Sequence, residues 1–335
     1  MDVCSHCFND ITLKAHIESI SDNYDICPQC GSNGPIVDVG ALFDVFFGLS
    51  RFYTTSENAT SVLFSNRIQS DWNVFSHGNS KFHQQFISEV FKETAPEYLR
   101  PQKWIKIDHP EIKKEWNLYA DDIKHSNRFF FARPFRDIQL DRLYSLLEET
   151  LEIGERLFRA RLNTFGKRYT KRRMGAPSKI DANGGRANPQ GIPYLYLASD
   201  FETAIAEIRP AKGQSVTVGY FEVLTKLRVV RFSKMSPFKL VLSDSEDDLN
   251  LSKINKVLEF IMHKLSEPIN PLIANTEYLT TQYICEEIKR MGFNGVSFPS
   301  AMGTGMNYAL FNTSDYCICR TTKQRYISDI SYNIK

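Results

Sequence analysis

Apolar residues recur at helical spacing through much of the first half of the chain. Residues 41–50 are strongly apolar with Asp44 as the only charge, which suits a core helix. Residues 81–94 set Phe82, Phe86, Ile87, Val90 and Phe91 along one side, the spacing of an amphipathic helix. Residues 140–157, with Leu143, Leu146, Leu147, Leu151 and Ile153, form the longest helical pattern. From about residue 155 the character changes, and 159–162 reads as a strand entering a new domain. The turn signal Asn188-Pro189-Gln190-Gly191 precedes an apolar run over 192–198. A Ser-x-x-Glu box, Ser199 to Glu202, then opens a short helix that Pro210 ends. Residues 215–223, rich in β-branched and aromatic side chains, and 227–232, with partial alternation, read as strands. Helices are predicted over 254–265 and 280–291, the second closed by Gly292, and core strands over 295–298 and 307–311. Residues 243–250 read as an acidic loop. Helices first and strands later predict an α+β protein.

A chain of 335 residues has room for more than one domain. With 41 Lys and Arg against 39 Asp and Glu the net charge is +2, which gives no global argument for nucleic acid. The basic run Lys167-Arg168-Tyr169-Thr170-Lys171-Arg172-Arg173 keeps a zinc-ribbon nucleic-acid module in play as a reading of a different class. The start of the chain has neither the basic nor the apolar region of a signal peptide, and no apolar run approaches a membrane span. The expectation is a soluble cytoplasmic protein.

Cysteine usage divides the N-terminus from the rest. Cys4/Cys7 and Cys27/Cys30 are Cys-x-x-Cys pairs separated by nineteen residues, while Cys285, Cys317 and Cys319 are scattered in apolar surroundings. Four thiolates on two tight turns favour a closed structural Zn2+ site over 1–38, with redox disulfides as the alternative. His6 is expected on the surface, because four sulfurs already complete the site. Residues 39–153 are expected to form a mostly helical domain whose aromatic residues pack a core. His77 and His83 lack the upstream arginine that a HEPN ribonuclease pair requires. The remaining part, 154–335, carries the candidate chemistry.

Arg186, Tyr196 and Glu207 stand at intervals of ten and eleven. Each has a bland reading: Arg186 as a surface ion pair, Tyr196 as a packed strand residue, and Glu207 as a solvated flank beside the stripe Phe201, Ala204, Ile205 and Ile208. Ser300, after Pro299, could be a turn residue. Together, an arginine, an aromatic hydroxyl and a carboxylate suit the binding of a dinucleotide and cleavage of its glycosidic bond.

The segments Arg159-Ala160-Arg161, GGRANPQGIPYLYLASDFETAIAEIRP, Tyr278 to Ile284, and Gly292 through Ser300 to Asn307 together resemble the RES domain. Members of that family are bacterial toxins that degrade NAD+ or transfer its ADP-ribose, on an ADP-ribosyltransferase-like split β-sheet. The resemblance places the family's arginine on Arg186, its tyrosine on Tyr196, its glutamate on Glu207 and its serine on Ser300, with Ser297 as a rival serine. It adds Asn307 and, as alternative second arginines, Arg159 and Arg161 to the substrate-binding set. The N-terminal part resembles the HEPN-type extension found ahead of some RES domains. An antitoxin or other regulatory partner and a homo-oligomer are further implications of the resemblance.

Overall fold

In the computed structural model the protein is α+β, as its pattern predicts. The structure describes residues 1–330 except 78, 93, 131, 133, 136, 137, 139, 244–250, 268–272, 313 and 314, together with all but the side chain of Phe165. Most of the predicted acidic loop therefore lies outside the described residues. The chain divides into two compact units, one of Met1–His109 with Lys234–Lys256, the other of Pro110–Ser233 with Val257–Lys335.

The first unit begins with a small antiparallel sheet of strands β1 (Asp2–Cys4), β2 (Asn23–Ile26) and β3 (Asn33–Asp38), in the order β1-β3-β2. Helix Ile11–Ile20 crosses between β1 and β2, and the Asp10 carboxylate caps it by accepting from the amides of Thr12 and Leu13. Behind it lies an aromatic core. Phe86 meets Phe46, Phe8 and Phe75 edge-to-face at centroid distances of 4.8, 5.3 and 5.5 Å. Helices Phe43–Ser50 and Ser80–Phe91 bury the faces their periodicity predicts. His83 is buried, stacks on Phe75 at 4.3 Å and bonds the carbonyl of His77, so it is a core histidine. An antiparallel pair of β4 (Tyr53–Thr55) and β5 (Trp104–Lys106) completes the described strands of this unit.

The second unit is built on a mixed eight-stranded sheet. Its strands are β6 (Glu148–Leu151), β7 (Arg156–Leu162), β8 (Leu195–Ala198), β9 (Ser215–Val223), β10 (Leu227–Arg231), β11 (Gly295–Pro299), β12 (Met306–Leu310) and β13 (Cys317–Tyr326). Their order is β13-β9-β7-β8-β12-β11-β10-β6, and only β10 and β11 run parallel. The long helix predicted over 140–157 is wrong: helix Leu140–Leu146 stops, β6 pairs with β10, and a turn at Gly154 (φ +87°) leads into β7. Leucine spacing alone could not separate the two, because the strand bonds that decide it come from a partner distant in sequence.

The sheet is nearly split. β7 pairs with β9 along its length but meets β8 at one register pair, Phe158 with Ala198. β8 pairs in turn with β12 over four residues. A seam thus runs between the halves β13-β9-β7 and β8-β12-β11-β10-β6. One face of the sheet buries Leu157, Leu195, Leu197, Phe221, Val229 and Leu310. On the other, Ala160, Ala198, Val216 and Val218 pack with Ala204, Ile205 and Ile208 from helix Phe201–Glu207 and its end.

Candidate active site

The helix that carries Glu207 starts one residue later than the Ser-x-x-Glu box predicts. Asp200 is its N-cap, accepting from the amide of Thr203 at 2.7 Å and from its hydroxyl at 2.9 Å. The loop between β11 and β12 docks on this first turn. Gly305 donates to the Thr203 hydroxyl at 3.1 Å, and Met306 donates to the Ser199 hydroxyl at 3.0 Å. A Cβ on Gly305 would lie 2.0 Å from the Asp200 carboxylate, so this contact exists only for glycine.

That docking brings two distant residues to Glu207. Its Oε1 accepts from the Ser300 hydroxyl at 2.6 Å and from the Asn307 side-chain amide at 2.7 Å. Ser300 Oγ also accepts from the amides of Met302 and Gly303 at 3.0 and 2.9 Å, which fixes its own position. The rival Ser297 lies on the opposite face of β11, fully buried, and approaches Glu149 at 3.4 Å.

Tyr196 and Arg186 come from the preceding loop and strand. The Tyr196 hydroxyl donates to Asn188 Oδ1 at 2.8 Å and accepts from the Ala187 amide at 3.2 Å. Burial pushes its pKa well above the usual tyrosine value, so the hydroxyl stays protonated and the ring is what it offers a ligand. Asn188 is 3 % exposed, and its amide also reaches the carbonyls of Asn183, Pro189 and Ile192. Gly185 is where this packing is tightest: a Cβ there would sit 2.6 Å from Asn188 Oδ1 and 2.8 Å from the Tyr196 hydroxyl. From helix Leu279–Arg290, Thr281 donates to the Arg186 carbonyl at 2.6 Å and Gln282 to the Gly185 carbonyl at 2.8 Å. Asn188, Thr281 and Gln282 were not singled out from sequence. The Arg-x-Asn spacing and the Thr-Thr-Gln run were the available signals.

Three arginines were candidates, and they are placed differently. Arg186 donates through Nη1 to the carbonyls of Leu265 and Ser266, at 3.0 and 3.1 Å, at the end of helix Leu251–Ser266. Arg159 and Arg161 both donate to the Gly175 carbonyl at 2.9 Å. Burial first, and the like charge of Arg161 second, lower Arg159 to about 9, which leaves it cationic at neutral pH. Among the described residues none of the three has a carboxylate partner.

A cavity of ≈ 420 Å³ gathers most of this set. Arg159, Arg186, Tyr196, Glu207 and Asn307 line it, with Phe158, Phe298 and Tyr278 as its aromatic walls. It straddles the seam, for Phe158 to Ala160 come from β7 and Tyr196 to Ala198 from β8. Ser300 reaches the cavity through Glu207, and Arg161 does not line it. The site is thus a polarised cleft: cationic guanidinium groups, aromatic walls, and a carboxylate held by two neutral donors.

A family model for the RES domain matches residues 156–329, just over half of the chain. The chain belongs to the RES-domain family. No curated protein matches it. Among solved structures, the RES-domain protein is similar to the MbcT–MbcA toxin–antitoxin complex of M. tuberculosis, with 15% identity and a TM-score of 0.34 over 56% of this chain and 93% of that one. That likeness is too distant to say what this RES-domain protein does. The HEPN-type extension expected ahead of the RES domain is not supported. Nothing among the matches points to it, and the first unit packs its helices with the small three-stranded sheet around an aromatic core.

The RES domain is preceded by the four-cysteine cluster. The sulfurs of Cys4, Cys7, Cys27 and Cys30 all lie within 4.8 Å of one another, with Cys4–Cys30 at 3.4 Å and Cys7–Cys27 at 3.6 Å. A tetrahedral Zn2+ with ~2.3 Å bonds would set its sulfurs about 3.8 Å apart, so these four fit it. All seven cysteines are free thiols, which does not favour the disulfide alternative. Gly31 takes the left-handed backbone of the second knuckle, at φ +72°. His6 is exposed, its Nδ1 3.9 Å from Cys4 Sγ. Among the described residues no helix is long and apolar enough to cross a membrane.

Proposed function

We propose that the protein is an NAD+ glycohydrolase, a toxin or defence effector whose catalytic part is 154–335. The observation that carries the reading is Glu207: a carboxylate fixed by Ser300 and Asn307 at 2.6 and 2.7 Å, in a cleft that also holds guanidinium groups without carboxylate partners. A carboxylate bonded through one oxygen keeps the other for a ribose hydroxyl. Arg159 and Arg186 suit a pyrophosphate, Tyr196 and the aromatic walls a nicotinamide ring.

The chemistry follows from the leaving group. In NAD+ the nicotinamide is a cationic pyridinium, so the bond from ribose C1′ to nitrogen breaks with its electron pair going to nitrogen, and no acid is needed. The positive charge that develops on the ribose is stabilised by Glu207, which is why one carboxylate suffices where glycosidases with poor leaving groups use two. Water then bonds C1′ and releases one proton, giving ADP-ribose and nicotinamide. A protein nucleophile in place of water would give ADP-ribosylation instead. A zinc ion on Cys4, Cys7, Cys27 and Cys30 is structural in this reading, and an antitoxin-like partner and self-association are part of the same proposal.

The test is nicotinamide release from NAD+ by the purified protein, compared with Glu207→Gln. Equal rates would end the enzymatic reading. Label from adenine-labelled NAD+ recovered as free ADP-ribose supports hydrolysis, and label on protein supports transfer.

A further inference from the structure

A second groove of ≈ 320 Å³ opens on the same face of the sheet and shares Phe158 with the first. Arg156, Phe201, Tyr220, Lys323 and Arg325 are its other defining residues. Register explains the set. Phe158 on β7 lies opposite Tyr220 on β9, which lies opposite Thr321 on β13, while Val218 lies opposite Lys323 and Val216 opposite Arg325. The floor is therefore aromatic and the rim cationic. Phe158 stands 6.1 Å from Tyr220 and 6.4 Å from Phe201, and the Arg156 guanidinium sits 5.5 Å over the Tyr220 ring.

The charges are unbalanced. Among the described residues none of Arg156, Lys323 and Arg325 forms an ion pair. The nearby carboxylate, Glu222 opposite Arg156, is already held by Arg320 at 2.8 Å. Three cations around the half-buried rings of Phe158 and Tyr220 and the exposed ring of Phe201 match a ligand that is both flat and anionic. Phe201 supports this, being 45 % exposed at the start of a helix whose Ala204 and Ile205 pack inward.

We propose that this groove binds a nucleoside phosphate, its base against Phe158, Tyr220 and Phe201 and its phosphates against Arg156, Lys323 and Arg325. Two sources share that chemistry. One is the adenylate half of the NAD+ whose nicotinamide end occupies the neighbouring cavity, with its single pyrophosphate shared between the cations of the cavity and those of the groove where the two adjoin at Phe158, an arm that rests on the proposed glycohydrolase reading. The other is a separate nucleotide that binds beside the substrate.

The experiment titrates the full-length protein with ADP by calorimetry, and with adenosine as the uncharged control, then repeats both with Arg156→Gln, Lys323→Gln and Tyr220→Leu. We expect saturable ADP binding that each charge variant weakens roughly 10-fold, that Tyr220→Leu also weakens, and that adenosine does not match. Unchanged melting temperatures show that the variants are folded. Competition between ADP and NAD+, with KM for NAD+ raised and turnover of nicotinamide mononucleotide unaffected in the variants, assigns the groove to the substrate's own adenylate. ADP binding without competition assigns it to a second nucleotide. Absence of ADP binding at millimolar concentration, or binding that none of the variants alters, overturns the proposal. ADP binding by a protein that never releases nicotinamide would sink only the glycohydrolase reading.

Discussion

Replacing Gly185 by alanine perturbs the site by one methyl group. The added Cβ would lie 2.6 Å from Asn188 Oδ1 and 2.8 Å from the Tyr196 hydroxyl, both inside contact distance. Neither neighbour can yield freely. Tyr196 is anchored in β8 between Leu195 and Leu197, which are buried, and Asn188 is bonded to three backbone carbonyls. Overpacking of this kind costs about 1–3 kcal/mol, and losing the Tyr196–Asn188 bond adds about 1 kcal/mol. A destabilisation of about 2–4 kcal/mol corresponds to a fall of roughly 5–15 °C in Tm for a domain of this size. Because the strain falls between Tyr196 and the backbone that leads to Arg186, NAD+ cleavage should fall with it. Gly184 is the internal control: a Cβ there meets nothing closer than Gln282 Nε2 at 3.5 Å, an ordinary contact. Thermal melting and nicotinamide release for Gly184→Ala and Gly185→Ala decide the matter. If both variants behave alike, or Gly185→Ala matches the wild type, the packing account is wrong.

Glu207→Gln keeps the size of the side chain and removes its charge, so nicotinamide release should drop roughly 10²–10³-fold with Tm nearly unchanged. Ser300→Ala should slow turnover, because it deletes a 2.6 Å bond to Glu207, whereas Ser297→Ala should leave turnover intact and act, if at all, on stability. A fall in activity confined to Ser297→Ala would reverse that assignment. Cys27→Ser should abolish zinc content measured by elemental analysis and lower thermal stability, since structural zinc contributes on the order of 10 kcal/mol to small ligand-nucleated folds. Retention of one zinc per chain by that variant would remove Cys27 from the ligand set. Thr281→Val removes the 2.6 Å bond to the Arg186 carbonyl and should raise KM for NAD+ more than it lowers kcat, which steady-state kinetics will show.

Much of the local structure was legible because local spacing dictates it. The helix Ser80–Phe91 buries Phe82, Phe86, Ile87 and Val90 as their periodicity requires, and β9 is buried where its β-branched residues predict a strand. The four cysteines announced their cluster because two Cys-x-x-Cys turns can converge on one ion whatever lies between them. One predicted helix failed and one strand was missed for reasons outside any short window. Leu151 belongs to β6, whose partner β10 lies far along the chain, and Leu157 to β7, while β13 went unrecognised because its polar outer positions hide a strand fixed by β9. The cap of the Glu207 helix also shifted, from Ser199 to Asp200, because Ser199 is occupied by the amide of Met306.

The sequence by itself determined most of the polar side chains of the cleft, since Arg186, Tyr196, Glu207 and Asn307, with Ser300 behind Glu207, are readable in order along the chain. Only the tertiary structure decided what each could be used for. The seam between β7 and β8 creates the cavity, and it is a property of strand pairing that no single segment contains. It admits Arg159 and leaves Arg161 out, turns the Tyr196 hydroxyl into a buried anchor, and joins Glu207 to donors from the distant loop of Ser300 and strand of Asn307. Residue identity sets which bonds can form, whereas the fold sets which of them remain free for a ligand.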